Sequence, residues 1–288
     1  MWTKKGTDCN VFYTGFKKIY LMLIYLLFLM GFSSITVAHE MWIEPVSYKV
    51  NVGDNIYAHE KVGQNFKGNE YAYLNTSYKK LNITVGDITR VVKSRLGDIP
   101  AIKEKADEEG LYILTAITTG SNIKYKSWAK FESFIKSKGL DWVLERHKEK
   151  GLPEKDFSEF FQRFPKSLVK VGHGKGVDRE FSLPIEWIAE SNPYTTDTDI
   201  QLRLMWHGKP YVDAHVDVFN RVKNSDVTFD VLKSTLFTDS QGRVTIPRSK
   251  GGEFLINAVQ ILEYSASTKE SEGVVWETYW ASLTYELD

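Results

Sequence analysis

The sequence predicts a mainly β protein: a β-rich domain carrying a helical insert, followed by a small antiparallel β-sandwich. Three observations carry the prediction. Short apolar–polar alternations separated by glycine-containing turns run from Met41 to about Thr119, the period-two pattern of half-buried strands. Over about 126–165 the apolar spacing changes to three and four residues, which is the helical period. From 193 to 288 the alternation returns in six short runs, with turns such as Asp239-Ser240-Gln241-Gly242 between them, as in a sandwich.

Residues 1–38 have the make-up of a secretory signal peptide. Lys4, Lys5, Lys17 and Lys18 give a positive leader, Ile19–Phe32 is almost wholly apolar, and Thr36 and Ala38 occupy positions −3 and −1 before His39. Charge, a short apolar core and a small residue at the cut, in that order, direct export. The apolar run is shorter than the roughly 20 residues that span a bilayer. That favours cleavage over anchoring, and a mature protein that begins at His39 and does not span the membrane.

The leader holds four Lys and one Asp, so of 37 basic and 37 acidic residues the remainder keeps 33 and 36, a net charge of −3. Nucleic-acid binding calls for a clustered basic surface, and none is legible. The single cysteine, Cys9, lies in the leader. A mature protein without thiols has neither disulfides nor thiolate metal sites, and packing alone must hold it. The sequons at Asn75 and Asn82 have meaning only in a host that glycosylates its exported proteins.

After His39, Ser47–Val52 and Ile56–Val62 flank Gly53-Asp54, the pattern of a hairpin. Asn69–Asn75, Lys80–Val85, Thr89–Lys93 and Leu111–Thr118 are further strands. In the insert, Trp128, Phe131, Phe134, Ile135, Trp142, Val143 and Leu144 form an apolar stripe broken near Gly139. Pro153 and Pro165 bracket a second short helix over Pro153–Phe164, since proline suits a first helical turn and the position past the end. Strands resume at Ser167–Val171 and Phe181–Ala189. The polar cluster Glu190–Thr198 marks the expected boundary between a domain of 39–192 and one of 193–288. Ile200–Met205, Tyr211–Arg221, Ser234–Thr238, Arg243–Pro247, Glu253–Leu262 and Trp276–Tyr285 complete the strands.

Several segments, in order, resemble a known family: AHEMWIEP, VGQNFKGNEY, FFQRFPKSLVKVG, LPIEWIAESNPYT, HGKPYVDAHVDV with TDSQGRVTIP, and WETYWASLTYEL. The chain is similar to domain-of-unknown-function family 4198, exported bacterial proteins often associated with nickel or cobalt uptake. The resemblance covers almost the whole mature chain. It implies that the second module is an immunoglobulin-like, transthyretin-like β-sandwich, that the protein is periplasmic, and that its partner is an inner- or outer-membrane metal transporter.

His39 is the residue whose position itself suggests chemistry. A mature N-terminal histidine offers its α-amine and ring Nδ1, which close a six-membered chelate. Reference pKa values of about 7.7–8.0 and 6.5 make both nitrogens available near neutral pH. Such donors suit Cu(II) and Ni(II), Co(II) enters through the family resemblance, and Glu40 adds an oxygen. His59, on a predicted strand, is a second candidate ligand. In Tyr211–Val218 the residues Asp213, His215 and Asp217 share one face of a strand, so Asp213 and His215 are candidates too, although such a row is more often the solvated face of a half-buried strand. The glycine-rich loop around His173 lacks the P-loop and Rossmann contexts. His147 is expected to be solvated, and His207 lies in a turn.

No G-x-S-x-G or H-E-x-x-H occurs, and the carboxylates are unpatterned. The expected function is therefore non-catalytic divalent-metal binding, accessory to nickel or cobalt uptake. The alternatives are a copper redox protein built on His39, which requires a second histidine beside it, and a cell-envelope interaction or scaffold protein without metal.

Overall fold

A computed structural model describes residues 39–223, 229–265 and 273–288; the expected signal peptide lies outside these residues. The protein is mainly β, in three sheets with two helices among the described residues. The first sheet has the order β1 (Glu40–Pro45), β3 (Asn55–Gln64) and β4 (Lys67–Tyr71), with β7 (Ile102–Lys105) following β4 along the same edge of β3, opposite β1. The largest runs from β15 (Phe229–Phe237) through β14 (His215–Lys223), β17 (Gly252–Glu263), β18 (Val274–Leu287), β10 (Phe157–Val171), β8 (Gly110–Thr118) and β5 (Tyr78–Val85) to β6 (Ile88–Val91). Two short strands, β2 (Lys49–Val50) and β9 (Ser121–Tyr125), also pair with β10. The third sheet has β12 (Ile200–Trp206) between β11 (Ile185–Ala189) and β16 (Arg243–Ile246), extended by β13 (Lys209–Pro210).

The first and third sheets each lay an apolar face on the large one, which is covered on both faces. Trp187, Leu202 and Leu204 of the third sheet pack on Val216, Ile256 and Leu283 of the large one, making a β-sandwich. Ile43, Ile56 and Ala58 of the first sheet cover Ile83, Leu114 and Val169. The expected boundary at 192/193 falls in the β11–β12 connection, and those two strands pair with each other from Ile185↔Trp206 to Ala189↔Leu202. The large sheet takes strands from both sides of that position, with β10 and β18 parallel neighbours.

The helical stripe forms as its spacing predicts except at Trp142, which is half exposed. Helix α1 (Trp128–Ser137) and helix α2 (Trp142–Glu149) bury Phe131, Phe134, Ile135, Val143 and Leu144 against Phe157, Ile261, Trp276 and Trp280. Helices this short are marginal alone. At about 1.5–3 kcal/mol per buried large side chain, the five contribute roughly 10 kcal/mol gross, so packing holds them. The break falls at Gly139, with φ +63°, a left-handed value that glycine adopts without strain.

Two expectations fail. Pro153–Phe164 is not a helix: from Phe157 the chain is strand β10. It is buried on both faces, so its aromatics follow no two-residue alternation; Phe157 and Phe164 enter different cores. Pro165 is tolerated because, from 162 to 167, no strand pairs with β10 on the side away from β18. The expected hairpin is also re-drawn: β3 pairs with β1, not with Ser47–Val52, and sets Glu44 opposite His59 and Glu40 opposite Gly63.

Candidate functional site

Strand β1 carries Glu40, directly follows His39 and pairs with the strand that carries His59. Its alternate residues Glu40, Trp42 and Glu44 point at β14 and meet Asp217, Phe219 and Arg221 in three layers. In the first, Lys138, from the turn after α1, donates to Glu40 Oε1 and Asp217 Oδ2, each at 2.7 Å. Asp217 also receives Lys233 Nζ at 2.8 Å and lies 3.3 Å from His215 Nε2. In the second layer Trp42 packs edge-on to Phe66, with Phe219 and Leu255 alongside. In the third, Arg221 pairs with Glu44 at 3.2 Å and with Glu253, while Lys61 reaches Glu44 at 2.7 Å. Serine and threonine of β18 complete the attachment: Ser282 and Thr284 hydroxyls donate to the Met41 and Ile43 carbonyls.

The charges of the first layer balance, and burial makes the balance matter. Lys138 is 5 % exposed, Glu40 5 % and Asp217 0 %. Burial alone would neutralise Lys138, but the Glu40 and Asp217 carboxylates outweigh it and raise its pKa. Burial likewise opposes ionisation of Asp217, yet His215, Lys138 and Lys233 hold its carboxyl well below the usual range. The face of β14 that alternation suggested to be solvated is therefore an internal ionic layer. Its sequence signal, Asp-x-His-x-Asp, reads the same for either environment; only the presence of β1 over it decides.

Of the expected ligands, Glu40 and His215 meet through this layer. Asp213 does not join them: it precedes β14 with φ +53° and donates its N–H to the Thr238 carbonyl. His59 stands opposite Glu44 and 3.3 Å from Glu70. Five residues of strand separate that position from His39, about 16 Å at the rise of an extended chain. The two histidines are not brought together, which a copper brace would require.

His39 stands just before β1, half-buried in a hollow that the β3–β4 hairpin edges with Gln64, Lys67 and Asn69. Its carbonyl accepts from Arg163 at 3.1 Å, and its ring Nδ1 is buried without a partner. Burial, with Arg163 and Lys138 nearby, lowers its pKa despite the opposing Glu40 charge. The ring is thus held neutral, the state that ligates metal. Glu40 Oε2 is also unpartnered, but its other oxygen belongs to Lys138. Among the described residues no three His, Cys, Asp or Glu side chains converge as a metal site. Of the candidate ligands, His39 presents a ring nitrogen that no other group holds.

A model of the family Domain of unknown function (DUF4198) matches residues 36–261. The chain belongs to this DUF4198 family. No match is found among curated protein sequences. Among solved structures this DUF4198 protein is similar to the D0-D1 domain of intimin, at 12 % identity over 85 % of this chain and 97 % of that one, with a TM-score of 0.21. It is also similar to murine CEACAM1b, at 10 % identity over 86 % and 99 %, with a TM-score of 0.19.

Two buried carboxyls escaped the sequence reading. Glu60 lies on β3 in line with Ile56 and Ala58, is wholly buried, and has no partner for either oxygen. Burial pushes its pKa up to about 8. Glu159 is buried too; burial lifts it to about 7 although the Thr278 and Tyr125 hydroxyls donate to it. The signal was available: both sit on an apolar period, Ile56-x-Ala58-x-Glu60-x-Val62 and Phe157-x-Glu159-x-Phe161. His147 is the converse correction. It is 0 % exposed, accepts from Trp276 Nε1 at 3.0 Å and donates from Nε2 to the Pro153 carbonyl at 3.1 Å. Its place on a lysine- and glutamate-rich segment hid a core residue.

Proposed function

We propose that this protein is exported, is cut between Ala38 and His39, and binds a divalent transition metal through the new N-terminus. It acts as a non-catalytic periplasmic accessory to nickel or cobalt uptake, presenting the ion to a membrane transporter. One observation carries the reading: the unpartnered Nδ1 of His39, in a neutral-favouring environment, belongs to the residue whose own α-nitrogen the cleavage frees. A two-nitrogen chelate leaves coordination positions that a transporter's own ligands can take over, and that suits transfer better than storage. The described part contains no helix long and apolar enough to cross a membrane.

The test is calorimetric titration of the protein starting at His39 with Ni(II), Co(II) and Cu(II). One ion per chain is expected. Binding should be lost in His39→Ala and weakened at least tenfold when Gly-Ser is added before His39, which keeps the imidazole and moves the amine away. Equal binding by the extended protein would overturn the chelate.

A further inference from the structure

One buried ionic cluster has no part in the His39 site. Lys166 of β10 lies with Asp178, from the β10–β11 connection, and with Glu186 of β11; the three side chains are 1 %, 0 % and 2 % exposed. Lys166 Nζ donates to Asp178 Oδ1 at 3.1 Å and to Oδ2 at 3.2 Å. Near-equal reach to both oxygens sets the nitrogen opposite the carbon that joins them, within the ~3–3.5 Å of a near-attack contact. Glu186 Oε2 stands 3.8 Å from the same nitrogen, and the Phe181 ring covers it at 5.0 Å.

Two carboxyls thus face one amine. Lys138 is differently placed: it gives one bond each to Glu40 and Asp217, and Asp217 has Lys233 and His215 besides. At Lys166 both oxygens of a single carboxyl meet the amine, while the Phe181 and Leu183 N–H groups hold Glu186. Burial raises the Glu186 pKa against Lys166 and those two donors, which suits a carboxyl that takes up and returns a proton. A buried ion pair carries a desolvation cost that its attraction offsets only in part; an amide between the same residues carries no charge. The partners of that amide are already in place. The Arg179 carbonyl, 3.2 Å from Nζ, would accept its N–H, and the Ala189 N–H, 2.8 Å from Oδ2, would donate to its carbonyl.

We propose that Lys166 and Asp178 condense into an intramolecular isopeptide bond, with Glu186 as the proton relay. Nζ bonds to Cγ, the Cγ–Oδ1 bond breaks, and Oδ1 leaves as water. That water carries two of the three ammonium protons, passed on by Glu186. Nothing is oxidised or reduced, and no further reactant enters. Enclosing both groups in one pocket supplies an effective concentration of about 10⁵–10⁸ M, which drives a condensation that water opposes between separate molecules. The bond ties the β10–β11 connection covalently in a chain whose single cysteine, Cys9, lies in the leader. It is independent of metal at His39, so its failure and the failure of the metal reading are separate results.

The experiment is intact mass spectrometry of the denatured His39-starting protein, followed by tryptic digestion. The mass should be that of the sequence less one water. The digest should contain a branched peptide that joins residues 164–170, uncut after Lys166, to residues 176–179. Glu186→Gln, nearly isosteric, should slow formation roughly a hundredfold or more, so that the freshly purified variant keeps its full sequence mass. Three results would each overturn the proposal: the full sequence mass in the folded parent, loss of water without the branched peptide (as from a succinimide at Asp178), or a bond equally complete in fresh, folded Glu186→Gln. Thermal melts show whether the variant is folded, and the parent's own mass and digest decide the proposal even where it is not.

Discussion

Replacing Lys138 by methionine removes the one cation shared by two buried carboxylates. Asp217 keeps Lys233 at 2.8 Å and His215 at 3.3 Å, so its charge remains compensated. Glu40 keeps nothing: Oε1 bonds only Lys138, and Oε2 has no partner. The variant therefore leaves one buried, unpaired carboxylate. Breaking a buried pair in this way costs about 3–5 kcal/mol, and in a chain of this size that lowers the melting temperature by roughly 10 °C. Adding Glu40→Gln removes the stranded charge. The double variant should recover about half of the loss, a coupling that a double-mutant cycle isolates. Urea denaturation followed by tryptophan fluorescence reads all four proteins. A Lys138→Met protein within 1 kcal/mol of the parent, or a double variant no more stable than the single, would refute the reasoning. Because this layer fixes the start of β1, Lys138→Met should also weaken metal binding at His39.

Other expectations are simpler. Glu60 has a folded pKa of about 8 against an ordinary 4.5, so the folded state holds its proton where the unfolded state has lost it. That contribution is fully present below pH 4.5 and is lost as pH rises through 8, about 5 kcal/mol in all; stability of Glu60→Gln should fall correspondingly less between pH 5 and 8 in urea titrations. His147 has the opposite sign: burial lowers its pKa, so stability falls as pH drops below about 6.5, where the unfolded imidazole protonates, and His147→Leu should remove that fall. The same variant leaves Trp276 Nε1 and the Pro153 carbonyl unpaired, a loss of about 2 kcal/mol. Gly139→Ala places a Cβ 2.7 Å from His215 Nδ1 at a φ of +63°, and should cost about 1–3 kcal/mol in the same assay.

What the sequence disclosed followed from how far each signal is local. Strand alternation in 212–218 put Val216 and Val218 in the core, and helical spacing found α1, α2 and the break at Gly139, because each pattern reports one face against one core. Patterns failed where an element is covered twice. Strand β10 buries residues on both faces, so Phe157, Phe160, Phe161 and Phe164 fall at helix-like spacing in an extended chain. The His215–Asp217 face is roofed by β1, whose position depends on pairing with β3 across the Val46–Asp54 connection. That long-range choice also keeps His59 from His39. Glu60 and Glu159 were visible as carboxylates on apolar periods, but their lack or supply of partners is set by residues up to 119 positions away.

The mass of the exported protein, measured intact with and without Ni(II), tests the central claim most directly. A chain beginning at His39 that gains the mass of one metal ion, and loses that gain in His39→Ala, is the predicted result. A chain that keeps its leader or begins at another residue would contradict it, because the amine and the imidazole would then belong to different residues.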